Sequence, residues 1–364
     1  MVDRMSDKDS DNKRPAARDE PAPAKRVTLS DVAKLANVST MTVSKVIRNT
    51  GSISAPTRNR VREAIDALGY IPNLIAGSLS SQVNLMVAVI VPAFGDDVFG
   101  GVLQGINTVL NGAGMHTLLG ASDFHTDIEE ELIRTMMAWQ PSGLILTGGM
   151  THSASTDKIL GSAACPIVQI WDNDVTDFDT NVGFSHVEAG RMMARHFIAK
   201  GYRNIGYIGA RHTIDKSSAR RYQAFRDELQ KSNHSVQAEI NASAVNQTEF
   251  GVSGTRSLLA RFPELDAIHY QNDTMAVGGL TWLHRAGIPV PQQIAVAGFD
   301  GSFRGRLIST ELTTIVIPRN SLGEASARSL LDRIQGKSRS RYHTINIDLL
   351  DGDTSGGNCK YTLP

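Results

Sequence analysis

From Leu85 onward, short apolar runs alternate with helical patterns over 85–91, 98–112, 115–120, 128–138 and 143–147. Parallel strands cannot be joined by tight hairpins and need a crossover, so this rhythm predicts a parallel sheet with covering helices. Pro166 to Trp171 supplies another strand. The rhythm then restarts over 186–199, 204–209, 219–231, 248–261, 267–270, 275–285 and 294–298. Two doubly wound lobes are implied. In such sheets ligands bind beyond the carboxyl ends of the strands, so the loops after these runs are expected to line a cleft between the lobes.

The 364 residues, 41% of them hydrophobic, suffice for two or three domains with sizeable cores. The formal net charge is zero, but the charge is not spread evenly. Residues 26–82 carry seven basic groups (Arg26, Lys34, Lys45, Arg48, Arg58, Arg60, Arg62) against three acidic ones (Asp31, Glu63, Asp66), a net +4. Residues 1–25 balance, so a basic head stands on an acidic body, a distribution that suits a polyanionic partner. Cys165 and Cys359 fit neither a disulfide framework nor a metal motif, as expected of a protein of the reducing cytoplasm. Residues 1–25 are charged and rich in Ala and Pro, which predicts a disordered tail and not a secretory leader. No stretch approaches the roughly 20 apolar residues of a membrane span.

The basic head reads as three short helices. Thr28-Leu-Ser-Asp31 has the form of a capping box, and Val32, Ala33, Leu35 and Ala36 follow as a buried side. Asn37 tolerates the left-handed backbone of a tight turn. Ser39 caps a second helix with Val43, Val46 and Ile47 on one face and Thr40, Met41, Ser44, Lys45 and Arg48 on others. A third runs from Ala55 to Leu68, with Val61, Ala64, Ile65 and Leu68 at helical spacing and Gly69 as its stop. Gly77 and its flanking serines make 72–82 a poor independent helix, so that segment is expected to order only on binding.

The run Thr28 to Arg48, with Ile-Ser-Ala-Pro-Thr-Arg at 53–58 and Gly-Tyr-Ile-Pro-Asn at 69–73, resembles the head of the lactose-repressor/galactose-repressor (LacI/GalR) family of transcription regulators. The resemblance implies a helix-turn-helix over 26–71 and a hinge helix over 72–82. It places Thr40, Met41 and Lys45 at base edges of a palindromic double-stranded operator and Thr28, Ser39, Thr42, Ser44 and Asn49 at phosphates. Tyr70 joins this DNA-facing set, and Leu79 becomes an apolar wedge in the minor groove. Two residues depart from the family pattern: Asn37 replaces the usual Gly, and Lys45 the commoner Arg, a point donor in place of a bidentate fork.

The body is similar to the same family's effector domain, over 83–364, with the fold of periplasmic sugar-binding proteins. The implied fold class is an all-α head plus an α/β body of two parallel-sheet lobes, 83–181 with 317–341 and 182–316 with 342–360. Gly143-Leu-Ile-Leu-Thr147 with Thr151-His152, Val182-Gly-Phe184 and Ile317-Pro-Arg319 look like the gluconate-repressor branch, which implies a sugar-acid effector. From position and chemistry the pocket candidates are Asp172, Asn272 and Asp300 for hydroxyls, Phe94 and Trp171 for stacking, and Arg211, Lys216 and His152 for a carboxylate, with Asp96 beside them in the effector-binding set. Ser218 stands where the family commonly has a pocket Arg or Lys, so either Lys216 or Arg220 substitutes for it or the ligand lacks that contact. No nucleophile elbow, zinc helix, phosphate loop or dinucleotide fingerprint is present in the sequence, so no enzyme, cofactor or metal is expected. The absence of terminal leucine heptads favours a homodimer over a tetramer. Effector is expected to release DNA; co-repression or activation by the ligand, and a transport receptor built on the same body, are the alternatives.

Overall fold

The computed structural model describes residues 27–72, 84–94, 97–175, 178, 180–210, 212–242, 247–302, 305, 310–337 and 342–356. The chain divides into two units, Met1–Gln82 and Val83–Pro364.

In the first unit, α1 (Leu29–Ala36), α2 (Thr40–Ile47) and α3 (Ala55–Leu68) bury Val32, Ala33, Ala36, Val43, Val46, Val61 and Ala64 against one another. The capping box forms: the Asp31 amide donates to Thr28 Oγ1, and the Thr28 amide donates back to Asp31 Oδ2 at 2.9 Å. Asn37 ends α1 at φ 51°, the left-handed region that Asn tolerates better than most residues. Small Ala33 and Ala36 leave room for the neighbouring helices, so eight-residue helices still share a dry core.

The second unit holds two parallel sheets. The first runs β2-β1-β3-β4-β5-β11, where β1 is Met86–Val91, β2 His116–Ala121, β3 Gly143–Thr147, β4 Ile167–Asp172, β5 Asn181–Phe184 and β11 Tyr342–Thr344. The second runs β7-β6-β8-β9, where β6 is Asn204–Ala210, β7 Ser235–Ala242, β8 Ala267–Tyr270 and β9 Ala295–Ala297. The central strands are buried along their length because helices cover both faces, which is why they read as unbroken apolar runs. A short antiparallel pair, β10 (Thr314–Val316) with β12 (Asp348–Leu350), lies outside these sheets.

Around the sheets pack α4 (Asp97–Gly112), α5 (Thr126–Ala138), α6 (Ala154–Gly161), α7 (His186–Lys200), α8 (Lys216–Lys231), α9 (Gln247–Arg261), α10 (Asp273–Arg285) and α11 (Arg319–Ile334). Contact between α4 and α11 is close because a Cβ on Gly105 would overlap the Asn320 carbonyl, and one on Gly323 the Val102 carbonyl.

The lobe boundaries differ from those expected. β5 and β11 both belong to the first sheet, so 182–184 and 342–344 extend the first lobe, not the second. Four- and three-residue strands beside a crossover carry no pattern that says which sheet they join. The chain passes between lobes after β5, between β10 and α11, and between β11 and β12.

Candidate functional site

On α2, Val43 and Val46 face the core while Thr40, Met41 and Lys45 are exposed, Met41 and Lys45 one turn apart. Ser39 caps the helix by accepting from the Thr42 amide at 3.1 Å, and no acidic residue occupies the first turn. The positive end of the helix is therefore not offset by its own side chains. The residues assigned to phosphates are tied locally. Thr28 serves the α1 cap, Thr42 Oγ1 lies 2.9 Å from Ser39 Oγ, Arg48 donates to Ser44 Oγ at 2.7 Å, and Asn49 Oδ1 accepts from Arg58. Tyr70 packs on the head's core, half-buried. Leu79 and the hinge over 73–82 lie outside the described residues.

In the body, the strand ends converge on a cavity of about 60 Å³. Its first-lobe wall includes Phe99, Phe124, Gly148, Met150 and Trp171; its second-lobe wall includes Asp215, Arg221, Gln271, Asn272, Phe299 and Asp300. Trp171 and Asp300 both hold positive φ, 87° and 97°, beyond the usual left-handed well, and such strain is retained where the surroundings over-determine it. Trp171 is wedged edge-on to Phe184 at 4.9 Å and against Phe99 at 5.3 Å, so two core clusters hold its ring at the cleft. Asn272 caps α10 through the Met275 amide and donates to Gln247 Oε1 at 2.6 Å. Asp300 pairs with Arg319 at 3.4 Å.

At the floor of the cavity lies Arg221, which the sequence reading passed over. Its side chain is buried on α8, with the guanidinium carbon 3.5 Å over the Phe299 ring. It donates to the Gln271 carbonyl at 2.9 Å and approaches His186 Nδ1 at 2.8 Å. Burial, and next the Arg221 and Arg220 charges, push the His186 pKa well below the ordinary imidazole value, so the ring is neutral and Nδ1 accepts. Burial likewise lowers the Arg221 pKa. Among the described residues no carboxylate is hydrogen-bonded to Arg221. A legible signal existed: Ser217, Arg221 and Phe225 fall at i, i+4, i+8 on the buried stripe of an amphipathic helix, an unusual place for an arginine.

Several expected pocket residues are placed elsewhere. Phe94 is 55% exposed and does not line the cavity, where Pro92 does. Lys216 is exposed at the first turn of α8 and points no charge into the lining. His152 lies between Glu129 and Asp157, 3.5 Å from each, and does not line the cavity. Ser218 is buried in the α8 cap, donating from its amide and hydroxyl to Asp215 at 2.9 Å each, and a buried cation, Arg221, lies one turn on. Arg220 pairs with Asp172, whose carboxylate also accepts from Ser217 Oγ. Asp172 is thus spent on a contact between the lobes. Asp96 and Arg211 lie outside the described residues.

Residues 28–73 match the model for bacterial regulatory proteins of the lacI family, and residues 194–355 that for the periplasmic binding protein-like domain. The chain is 34% identical over 317 residues to the HTH-type transcriptional regulator GntR of Escherichia coli K12, covering 86% of this chain and 94% of that protein. A crystal structure of a LacI-family transcriptional regulator from Silicibacter pomeroyi superposes with a TM-score of 0.86 at 36% identity, over 90% of this chain and 99% of that one. The structure of the regulator GntR from Chromobacterium violaceum superposes with a TM-score of 0.71 at 31% identity, over 75% of this chain and all of that one. With a capped helix-turn-helix followed by two parallel-sheet lobes around a cavity, the chain belongs to the LacI family of bacterial regulatory proteins and is a DNA-binding transcription regulator.

Proposed function

We propose that the protein is a cytoplasmic, homodimeric transcriptional repressor that reads a palindromic operator and is released from it by a sugar acid of the gluconate kind. The observation that carries the ligand class is Arg221: a buried guanidinium facing the cavity whose contacts are a neutral imidazole, a carbonyl and an aromatic face. A desolvated cation of this kind favours a ligand anion, and a carboxylate matches its fork. Asp215, Asn272 and Gln271 around it supply acceptors and amides suited to hydroxyls. The relatives named GntR support the same branch. On the head, Thr40, Met41 and Lys45 are the proposed base readers, and Leu79 the proposed minor-groove wedge.

The linkage is thermodynamic: when effector and operator favour different lobe arrangements, each lowers the affinity for the other, and by the same factor. Thermal-shift titration with D-gluconate and D-glucose, alongside gel retardation on a palindromic operator, tests the reading. Gluconate is expected to raise the melting temperature and release the operator, and glucose to do neither. Equal binding of the neutral sugar would remove the carboxylate from the argument, and tighter operator binding with gluconate would reverse the sign.

A further inference from the structure

Asn84 opens the described part of the body, two residues ahead of β1, and its side chain is committed to a helix far along the chain. Nδ2 donates to the carbonyls of Trp139 at 2.9 Å and Gln140 at 2.8 Å, where α5 ends. Oδ1 accepts from the Met86 amide at 3.0 Å, and the Asn84 carbonyl accepts from Ser142 Oγ. Carbonyls at a helix C-terminus have no partner inside the helix, so Asn84 supplies the donors that this end lacks. A hydroxyl has one proton to give and a carboxylate none, so a side-chain amide is what serves two carbonyls and one N–H together.

The other end of α5 belongs to the cavity. Phe124, in the turn between β2 and α5, lines it. Asp123 and Phe124 both hold positive φ, 48° and 63°, and the His125 amide closes the turn on the Ser122 carbonyl at 2.8 Å. The Glu129 amide donates to the His125 carbonyl at 3.0 Å, so this turn and the first turn of the helix are one hydrogen-bonded piece. Between the two ends Ile133 and Met136 are buried, and a Cβ on Gly120 would come within 2.7 Å of Met136 Cε, so α5 lies close on β2. Thirteen residues at about 1.5 Å each make α5 a rod of roughly 20 Å, with the cavity wall at one end and Asn84 at the other.

We propose that Asn84 is a positioning residue for operator binding: it fastens the start of the body to the C-terminus of α5, and through that helix to Phe124. The point from which the chain runs to the head is then set by the same helix that is joined to the cavity wall. Once loosened, that point must be ordered anew each time the head settles on an operator, and the entropy lost lowers specific affinity. Binding to random duplex, which phosphate charge dominates, does not depend on it.

The test uses full-length protein, without effector, and a duplex that the wild type selects from a random pool. Asn84→Ala is expected to bind that operator about tenfold more weakly, and random duplex within about twofold of wild type. Gly105→Ala, which strains the same lobe away from this link, is the comparison for lost stability alone and is expected to keep operator affinity. No loss in Asn84→Ala, equal losses on operator and random duplex, or a matching loss in Gly105→Ala overturns the positioning role. Phe124→Ala is expected to change operator affinity several-fold in the wild-type background and much less once residue 84 is alanine. Sites this far apart that act independently give factors that multiply. Multiplying factors, or no effect of Phe124→Ala, therefore overturn the link along α5. Neither measurement involves a ligand, so a failure here is distinct from a failure of the sugar-acid reading.

Discussion

His186 accepts a hydrogen bond from Arg221 across 2.8 Å in the interior of the body, and the rings of Trp171, Phe184 and Phe299 surround the imidazole. A cationic imidazole could not make that bond, so the neutral state of His186 and the orientation of the Arg221 fork are one condition. Arg221→Lys keeps the charge and discards the planar fork. We expect it to weaken D-gluconate binding by about tenfold or more, or about 1.4 kcal/mol, while operator affinity without ligand stays near wild type. Titration of intrinsic tryptophan fluorescence, to which Trp171 at the cavity contributes, and gel retardation read the two quantities. Unaltered gluconate affinity would show that the carboxylate is held elsewhere.

Lys45 is exposed on the same side of α2 as Met41, and its stem runs beside Gly51, whose added Cβ would lie 3.4 Å from Lys45 Cδ. Lys45→Ala is expected to cost about 1–3 kcal/mol on the operator and much less on random DNA. Equal losses on both would assign Lys45 to the phosphates. Lys45→Arg restores a bidentate donor and is expected to shift preference toward guanine at one operator position in a binding-site selection.

Close approach of α4 and α11 rests on Gly105. Gly105→Ala places a methyl against the Asn320 carbonyl, and overpacking of this kind costs about 1–3 kcal/mol. Gly112→Ala, at the end of the same helix, meets no atom within 4 Å and is the control, expected to change stability little. Urea midpoints of the two variants check the difference.

Glu129 is 4% exposed, and burial raises its pKa from the ordinary 4.5 to about 7. A carboxyl with a raised folded pKa contributes fully below its unfolded pKa, and that contribution is lost as pH rises from about 4.5 through about 7. Glu129→Gln cannot ionise. Its stability relative to wild type is therefore expected to grow across that window, reaching about 3 kcal/mol by pH 8, and to vanish at pH 4. Melting temperatures of both proteins from pH 4 to 8 decide it; a constant difference would mean that the neighbouring His152 compensates the charge.

Much of the architecture was legible because burial imposes periodicity. The capping box at Thr28, the turn at Asn37 and the stop at Gly69 are local chemistry and stand where the sequence places them. The central strands were visible because both faces are covered. What was not legible is set at long range. β11 and β12 are three residues each and mostly exposed, so no apolar pattern marks them. Trp171, Asn272 and Asp300 reach the cavity because strand ends point there, whereas His152 and Lys216, a few residues past a strand end or within a first turn, have rotated away. Asp172 reads as a sugar contact until its partners on α8 are seen.

The three passages of the chain between lobes give the two units of this protein different evolutionary freedom. The head is one uninterrupted stretch of sequence, so a single recombination joint can exchange it and give an old sensor a new operator. The lobes are interleaved: α11 and β11 complete the first only after the whole second sheet has been made. Exchanging one lobe would need three simultaneous joints, and a nascent chain cannot finish the first lobe until residue 344 has been synthesised. Ligand preference in such a body is accordingly expected to drift by point substitution at the cleft, and operator preference to move by transplantation.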